Sequence, residues 1–162
     1  MIKTKSGFTL IELLVVFTIS AVFFGAGIAA YGRFNRDKNL EKHTLAIQQL
    51  LQVGKVKARS NDKGGCSALD HYNVVVESEY KVTTSVVCAT GTSTFSQSHL
   101  IMSEENIQID TSESGSNFTF YHLRPTSDSG CIVLQDQRSN ECRSISVSAS
   151  GVTEIVKSCS CS

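Results

Sequence analysis

Six cysteines carry the most distinctive side-chain chemistry in this sequence, and all of them lie after residue 65. In an oxidising compartment such cysteines form disulfides, and six of them allow 15 different pairings. The simplest pairing joins neighbours along the chain, with Cys66 bonded to Cys88 and Cys131 bonded to Cys142. The last two cysteines then pair with each other or reach back to the body of the fold. The candidates are Cys66, Cys88, Cys131, Cys142, Cys159 and Cys161.

A metal site is the alternative use of these cysteines. The spacing in Cys159-Ser160-Cys161 is tighter than the two to four intervening residues that are usual between zinc ligands, so we expect disulfides and no metal or cofactor. The segment 127–130, Ser-Asp-Ser-Gly, is read as a turn in preference to a calcium loop. The sequence has no phosphate loop, no G-x-S-x-G and no H-E-x-x-H, and its four histidines are scattered. We therefore expect that the protein is not an enzyme.

One carboxylate, Glu12, stands inside an apolar segment. No charged residue occurs between Leu13 and Tyr31. The length of this apolar run is close to the roughly 20 residues that a helix needs to span a bilayer. A charge at the bilayer centre costs roughly 2.5–3.5 kcal/mol, which indicates that Glu12 has a partner or a function. The alternatives are a buried core helix and a secretory signal peptide ending in the small residues of segment 26–30. A removable signal peptide has no use for the carboxylate.

A basic leader precedes this segment and ends in Gly7, followed at once by Phe8-Thr9-Leu10-Ile11-Glu12. These residues resemble the processing signal of type IV pilins and of the pseudopilins of type II secretion. The resemblance implies that a prepilin peptidase cuts between Gly7 and Phe8 and methylates the new amino group of Phe8. It also implies that Glu12 pairs with the amino terminus of a neighbouring subunit during assembly, because two charges that are each costly in lipid then neutralise each other.

A single long helix must position these residues. After the apolar segment, small and apolar side chains recur every three or four residues, which predicts the inner face of an amphipathic helix. We expect one helix from Phe8 to Ser60, ended by the glycines of the segment 61–65. The inner face consists of Leu40, Thr44, Ile47, Leu51, Gly54 and Ala58.

The remaining chain is rich in serine and threonine, and short β-branched runs alternate with turn residues. This pattern predicts a strand-rich head, with a hairpin around Ser150-Gly151. The fold class is therefore α+β, a long N-terminal helix followed by a mainly antiparallel β head as in pilins. The segments from Phe118 to Val152 resemble the C-terminal half of the GspH/FimT branch of minor pseudopilins and minor pilins. The predicted strands are 72–76, 81–88, 107–110, 117–123, 131–135, 142–147 and 152–156.

Charge is distributed unevenly along a chain whose net charge is zero. Residues 33–63 carry eight bases and three acids, whereas residues 64–162 carry five bases and eleven acids. Bases that follow a membrane segment are typical of contact with lipid head groups or of a solvated face. A head with net charge −6 repels phosphate, so nucleic acid is not expected as a partner.

The resemblance implies four parts: a cleaved leader (1–7), a transmembrane and assembly helix (8–34), an amphipathic stalk with a linker (35–63) and a β-rich head (64–162). It implies a single-pass protein of the inner membrane whose head lies in the periplasm or outside the cell. The function that we expect is that of a minor pseudopilin of type II secretion. The alternative is a FimT-like minor type IV pilin that serves pilus assembly or DNA uptake. The implied partners are the prepilin peptidase, other pilin or pseudopilin subunits, the inner-membrane assembly platform and the lipid bilayer.

Overall fold

The computed structural model describes residues 9–102, 106–122 and 129–161, with the backbone alone at residues 26, 29 and 91–101. Within these ranges the chain forms one α-helix and eight β-strands, and it divides into two compact units, Met1–Arg36 and Asp37–Ser162. The elements are α1 (Leu10–Arg59), β1 (Leu69–Ser78), β2 (Lys81–Cys88), β3 (Gly91–Ile101), β4 (Ile107–Asp110), β5 (Asn117–Tyr121), β6 (Gly130–Asp136), β7 (Cys142–Val147) and β8 (Thr153–Val156).

The start of α1 is set by a threonine cap. The Oγ1 of Thr9 accepts a hydrogen bond from the backbone N–H of Glu12 at 3.4 Å, and the Thr9 carbonyl accepts one from Leu13 at 3.2 Å. A threonine followed three residues later by glutamate is the sequence of a capping box, which satisfies backbone groups that a helix terminus leaves unpaired. The helix therefore begins at Leu10, directly behind the cap.

The end of α1 is set by an asparagine. Asn61 has a φ of 53°, its N–H donates to the Ala58 carbonyl at 3.2 Å, and the Asp62 N–H donates to the Lys57 carbonyl at 3.0 Å. This pair of hydrogen bonds is a Schellman motif, in which a left-handed residue closes the last helical turn. The stop signal was correctly placed from sequence, but the left-handed residue that closes the helix is Asn61 and not a glycine.

Two four-stranded antiparallel sheets form the rest of the second unit. The strand order is β3-β2-β1-β5 in one sheet and β4-β6-β7-β8 in the other. The sheets meet where the turn between β1 and β2 approaches β4, because the Ile109 N–H donates to the Glu79 carbonyl at 2.8 Å.

The core lies between the sheets and the part of α1 that belongs to the second unit. Every member of the predicted inner face, from Leu40 to Ala58, is buried. At Gly54 the helix packs closely against β1, since a Cβ at this position would lie 3.2 Å from a methyl group of Val74. Among the side chains that the structure describes, Tyr72 and Phe118 are the largest that are completely buried. Apolar burial of this kind is the main favourable term in folding.

The predicted fold class is confirmed, and most strand bounds agree with the prediction. The strands β2, β4 and β7 have the predicted ends, and the predicted hairpin forms between β7 and β8. The strand β3 was missed, because its sequence Gly-Thr-Ser-Thr-Phe-Ser-Gln-Ser-His-Leu-Ile has few of the apolar residues on which the prediction depended. The helix extends over Leu10–Arg59, and the predicted first residue, Phe8, lies outside the described residues.

Candidate functional site

The apolar half of α1 is exposed at almost every position whose side chain the structure describes. An 18-residue window of this helix has a mean hydropathy of 2.4, and none of that window is buried. The helix is therefore long and apolar enough to cross a membrane. An exposed apolar surface of this extent marks contact with lipid or with other protein chains. Its large exposed side chains include Leu10, Ile11, Leu14, Phe17, Val22, Phe23, Phe24 and Ile28.

Glu12 lies in the first turn of this exposed helix. Its backbone is used by the Thr9 cap, while its side chain is exposed. A carboxylate in the first turn also interacts favourably with the positive end of the helix dipole. The cleavage residues Gly7 and Phe8 lie outside the described residues, so cleavage, N-methylation and the assembly role of Glu12 stay predictions.

A buried arginine joins β7 to the second unit's part of α1. The side chain of Arg143 is only 9% exposed, and its Nη2 donates to the Asp37 carboxylate at 2.8 Å. Glu41, one turn further along α1, lies 3.9 Å from the same nitrogen, and the Lys157 ammonium lies 3.9 Å from Asp37. We call these four residues, Asp37, Glu41, Arg143 and Lys157, the arginine cluster.

Charge governs the chemistry of the arginine cluster. The hydrogen bond from Arg143 holds the pKa of Asp37 below its usual value of 3.8, and burial opposes that effect. The pKa of Glu41 is also lowered, mainly by its hydrogen bond with Lys38 at 2.8 Å. The Arg143 Nε is buried without a hydrogen-bond partner among the described residues, so the guanidinium depends on Asp37 for much of its solvation.

Sequence reasoning missed the arginine cluster, although one signal for it was present. Arg143 alternates with Ile145 and Val147 along β7, which places all three on the same face of the strand. Since Ile145 and Val147 are buried, a base on that face requires an acidic partner. The sequence alone does not identify Asp37, because the partner lies 106 residues away.

Further hydrogen bonds connect α1 to the chain around β8. The Gln48 side-chain amide donates to the Thr153 hydroxyl at 3.2 Å, and the Lys55 ammonium donates to the Gly151 carbonyl at 2.7 Å. Burial lowers the pKa of Lys55, and the nearby charge of Arg59 acts in the same direction. Together with the arginine cluster, these contacts hold the edge strand β8 against the helix.

All six cysteines are paired in the structure. The first disulfide joins Cys66 to Cys88, which is the pair expected from sequence. The outer disulfide joins Cys131 to Cys161, and the inner disulfide, which lies within its loop, joins Cys142 to Cys159. The last two cysteines thus reach back to the body of the head, which was one of the two options left open.

The expected bond between Cys131 and Cys142 is wrong, and the register of β6 and β7 explains why. Cys142 lies opposite Gln135, four residues along β6 from Cys131. Four residues of strand span about 13 Å, whereas a disulfide needs Cα atoms within about 7 Å. In the ladder of β7 and β8, Val156 lies opposite Ser144. Because these strands are antiparallel, the residues that follow Val156 run past Ser144 towards Cys142. The correctly predicted hairpin therefore already contained the signal for the inner disulfide.

The described residues contain no group of three or more His, Cys, Asp or Glu side chains that could hold a metal ion. The segment 127–130, read from sequence as a turn, lies partly outside the described residues.

Comparisons with known proteins bear on both ends of the molecule. The family model described as the prokaryotic N-terminal methylation motif matches residues 2–28. Among solved structures, the chain is similar to the minor pseudopilin EpsH from the Type 2 Secretion System of Vibrio cholerae, with a TM-score of 0.57. That similarity covers 73% of this chain and 96% of that chain at 9% sequence identity, which shows the fold alone. No curated protein matches the sequence.

The motif and the architecture define a class of protein: a subunit with a methylation motif at its amino end, one long apolar helix and an antiparallel β head. The methylation motif and the fold together support placing the chain in the type IV pilin and pseudopilin family.

Proposed function

We propose that the protein is a minor pseudopilin, a structural subunit and not an enzyme, of the short filament that drives type II secretion. The prepilin peptidase cleaves between Gly7 and Phe8 and methylates Phe8. The apolar half of α1 then anchors the subunit in the inner membrane, and the head lies in the periplasm. Its partners are the peptidase, the bilayer, the inner-membrane assembly platform and other pseudopilin subunits.

The observation that carries this proposal is the position of the motif relative to the helix. The methylation motif covers residues 2–28, and α1 begins at Leu10 behind the Thr9 cap. Cleavage after Gly7 therefore leaves only Phe8 and Thr9 in front of the helix. The mature amino terminus stands at the positive end of the helix dipole, where a second positive charge is unfavourable.

Glu12 supplies the compensating charge. It is exposed, it lies one helical turn behind the new amino group, and the apolar side chains beside it are exposed as well. In apolar surroundings an uncompensated ammonium is costly, and a carboxylate of a neighbouring subunit removes that cost. A packed filament core provides such surroundings.

The disulfides of the head support its location outside the cytoplasm. All three disulfides are in the head, and disulfides persist mainly in oxidising compartments. The similar fold of EpsH, which is described as a minor pseudopilin of a type II secretion system, favours secretion as the process that this subunit serves.

The proposal is tested with Glu12→Gln in the full chain, expressed in the native bacterium. We expect normal cleavage and methylation by mass spectrometry of the amino-terminal peptide, together with loss of the subunit from isolated filaments. Equal recovery of the variant and the wild type in filaments would falsify the assembly role of Glu12. Absence of cleavage between Gly7 and Phe8 in the wild type would overturn the assignment as a whole.

Two control variants separate assembly from helix capping. Thr9→Ala removes the cap and keeps the carboxylate, so it should enter filaments far better than Glu12→Gln does. Thr18→Ala removes a hydroxyl that donates to the Val15 carbonyl of its own helix at 2.8 Å, so it should behave as the wild type. If Thr9→Ala were excluded as strongly as Glu12→Gln, loss of the helix start would explain both results, and the assembly role of the Glu12 carboxylate would be contradicted.

Deletion of the gene separates secretion from the FimT-like alternative. We expect loss of protein secretion with normal DNA uptake and normal pili. Lost DNA uptake, together with salt-dependent binding of DNA to the full chain, would instead support the minor type IV pilin.

A further inference from the structure

The three disulfides do not join neighbours in the chain. In order of sequence the first cysteine pairs with the second, the third with the sixth, and the fourth with the fifth. The inner disulfide is thus nested inside the outer one. An oxidase that acts on an emerging chain meets cysteines in order, so consecutive pairing yields the correct first disulfide and two wrong bonds, Cys131 to Cys142 and Cys159 to Cys161.

Spacing along the chain favours one of the wrong bonds, that between Cys131 and Cys142. Cys131 and Cys142 lie eleven positions apart in the sequence, whereas the outer disulfide joins residues 30 positions apart. Loop-closure entropy makes the shorter contact about fourfold more frequent in an unfolded chain. Cys159 follows Cys142 by 17 positions, which take about one to three seconds to synthesise. During that interval Cys131 and Cys142 can react with each other, whereas their native partners, Cys161 and Cys159, have not yet been synthesised.

A bond between Cys131 and Cys142 prevents folding of the second sheet. The ladder of β6 and β7 places these residues four strand positions apart, too far for a disulfide. Ile132 and Leu134 of β6 are completely buried, so a head without this ladder lacks part of its core. Three consecutive bonds also consume all six thiols, and without a thiolate disulfides cannot exchange.

We propose that the head requires a second thiol partner, a reduced dithiol isomerase, in addition to the oxidase that makes its disulfides. The proposal rests on the proposed function, which exports the head to an oxidising compartment. The partner is defined by its chemistry: a reduced, accessible thiolate that attacks a protein disulfide and is itself released at the end.

The exchange is balanced without any net oxidation. The isomerase thiolate attacks the Cys142 Sγ, which breaks its bond to Cys131 and releases the Cys131 thiolate. That thiolate attacks the Cys161 Sγ, forms the outer disulfide and releases the Cys159 thiolate. The Cys159 thiolate attacks the Cys142 Sγ of the mixed disulfide, forms the inner disulfide and releases the isomerase thiolate. Two disulfides are present before and after, and the oxidase has already removed the electrons when it made them.

The test uses the full chain, reduced and unfolded in detergent and then oxidised with diamide, which leaves no exchanging thiol. Mass spectrometry of non-reduced peptides maps the bonds. We expect the bond between Cys131 and Cys142 to exceed the outer disulfide by about fourfold, as loop closure dictates. A catalytic amount of reduced protein disulfide isomerase should then convert the product to the nested pairs. Nested pairs as the main product of diamide alone would overturn the proposal.

Cysteine variants provide matched controls. Removing the inner disulfide with Cys142→Ser and Cys159→Ser leaves four cysteines whose consecutive pairing is native. Such a variant should reach its native bonds without the isomerase. Removing the outer disulfide in the same way should have the same effect, whereas removing the first disulfide should leave the requirement unchanged. If the four-cysteine variants without the inner or outer disulfide still required the isomerase, nesting would not be its cause.

Bacteria that lack the disulfide isomerase of the exporting compartment provide the cellular test. We expect the head to accumulate there with a bond between Cys131 and Cys142, and to be restored when the isomerase is supplied. Nested pairs in the absence of the isomerase would contradict the proposal. Free thiols in the wild-type bacterium would contradict the exported location of the head, which belongs to the proposed function. In that case the oxidation in detergent would still show whether the head needs the isomerase to reach its nested disulfides.

Discussion

Asp37→Asn is the most informative single change in the head, because it leaves the Arg143 guanidinium buried without its closest anion. The variant keeps the size of the side chain and removes the charge that accepts the 2.8 Å hydrogen bond. Since Arg143 is only 9% exposed and its Nε already lacks a partner among the described residues, the guanidinium cannot recover its solvation from water without movement of β7 or α1.

The expected loss in the free energy of unfolding is about 2 kcal/mol. Removal of one partner from a fully buried ion pair costs about 3–5 kcal/mol, and a hydrogen bond to a charged group contributes about 1.5–3 kcal/mol. The lower part of this range applies because Asp37 is 34% exposed and Glu41 remains 3.9 Å from the guanidinium. The reverse variant, Arg143→Met, should cost about 1 kcal/mol or less, since water and Lys157 still solvate the partly exposed carboxylate of Asp37.

The assay is denaturant unfolding of the full chain in detergent with its disulfides intact. Near-UV circular dichroism reports the head, because the protein has no tryptophan and Tyr72 is completely buried. The double variant of Asp37 and Arg143 should be about as stable as Arg143→Met alone, which makes the coupling between the two sites about 2 kcal/mol, the whole cost of Asp37→Asn. Glu41→Gln, the control, should have a much smaller effect. If Arg143→Met were the more destabilising change, the buried charge would not be the reason.

The pH dependence of the same variants provides a second check. The folded-state pKa of Asp37 lies below the unfolded value of 3.8, so its contribution is fully present above pH 3.8 and is lost as the pH falls through the folded-state pKa. The stability difference between the wild type and Asp37→Asn should therefore be constant near neutral pH and should shrink below pH 3.8. A difference that persists unchanged in acid would refute the ion pair as its source.

Two glycines give further predictions, each checked by the same unfolding measurement. Gly54→Leu should destabilise the head by about 1–3 kcal/mol because even a Cβ lies 3.2 Å from Val74, and the smaller Gly54→Ala is its control; equal stability of both variants would contradict the close packing. Gly151→Ala should cost about 1–2 kcal/mol, since Gly151 has a φ of 70° and an added Cβ would lie 3.3 Å from Lys55. A neutral result would mean that the turn relaxes.

Local patterns in the sequence were sufficient for much of the architecture. The leader motif, the apolar segment around Glu12 and the inner face from Leu40 to Ala58 each depend on residues that are close together in the chain. A periodicity of three to four residues shows which side of a helix is apolar. Alternation of apolar and polar residues shows which segments form the strands of the head. The bounds of β2, β4 and β7 followed for the same reason.

Contacts between distant residues could be decided only by the tertiary structure. The bond between Asp37 and Arg143, the nested disulfides and the polar strand β3 all depend on which strands become neighbours and in which register. Spacing along the chain favoured a bond between Cys131 and Cys142, and the ladder of β6 and β7 excludes it by placing the two residues about 13 Å apart along the strands. The sequence by itself determined the long helix, its motif and the existence of a β head. The pairing of its strands decided which charges and which sulfur atoms meet, because register converts distance along the chain into distance in space.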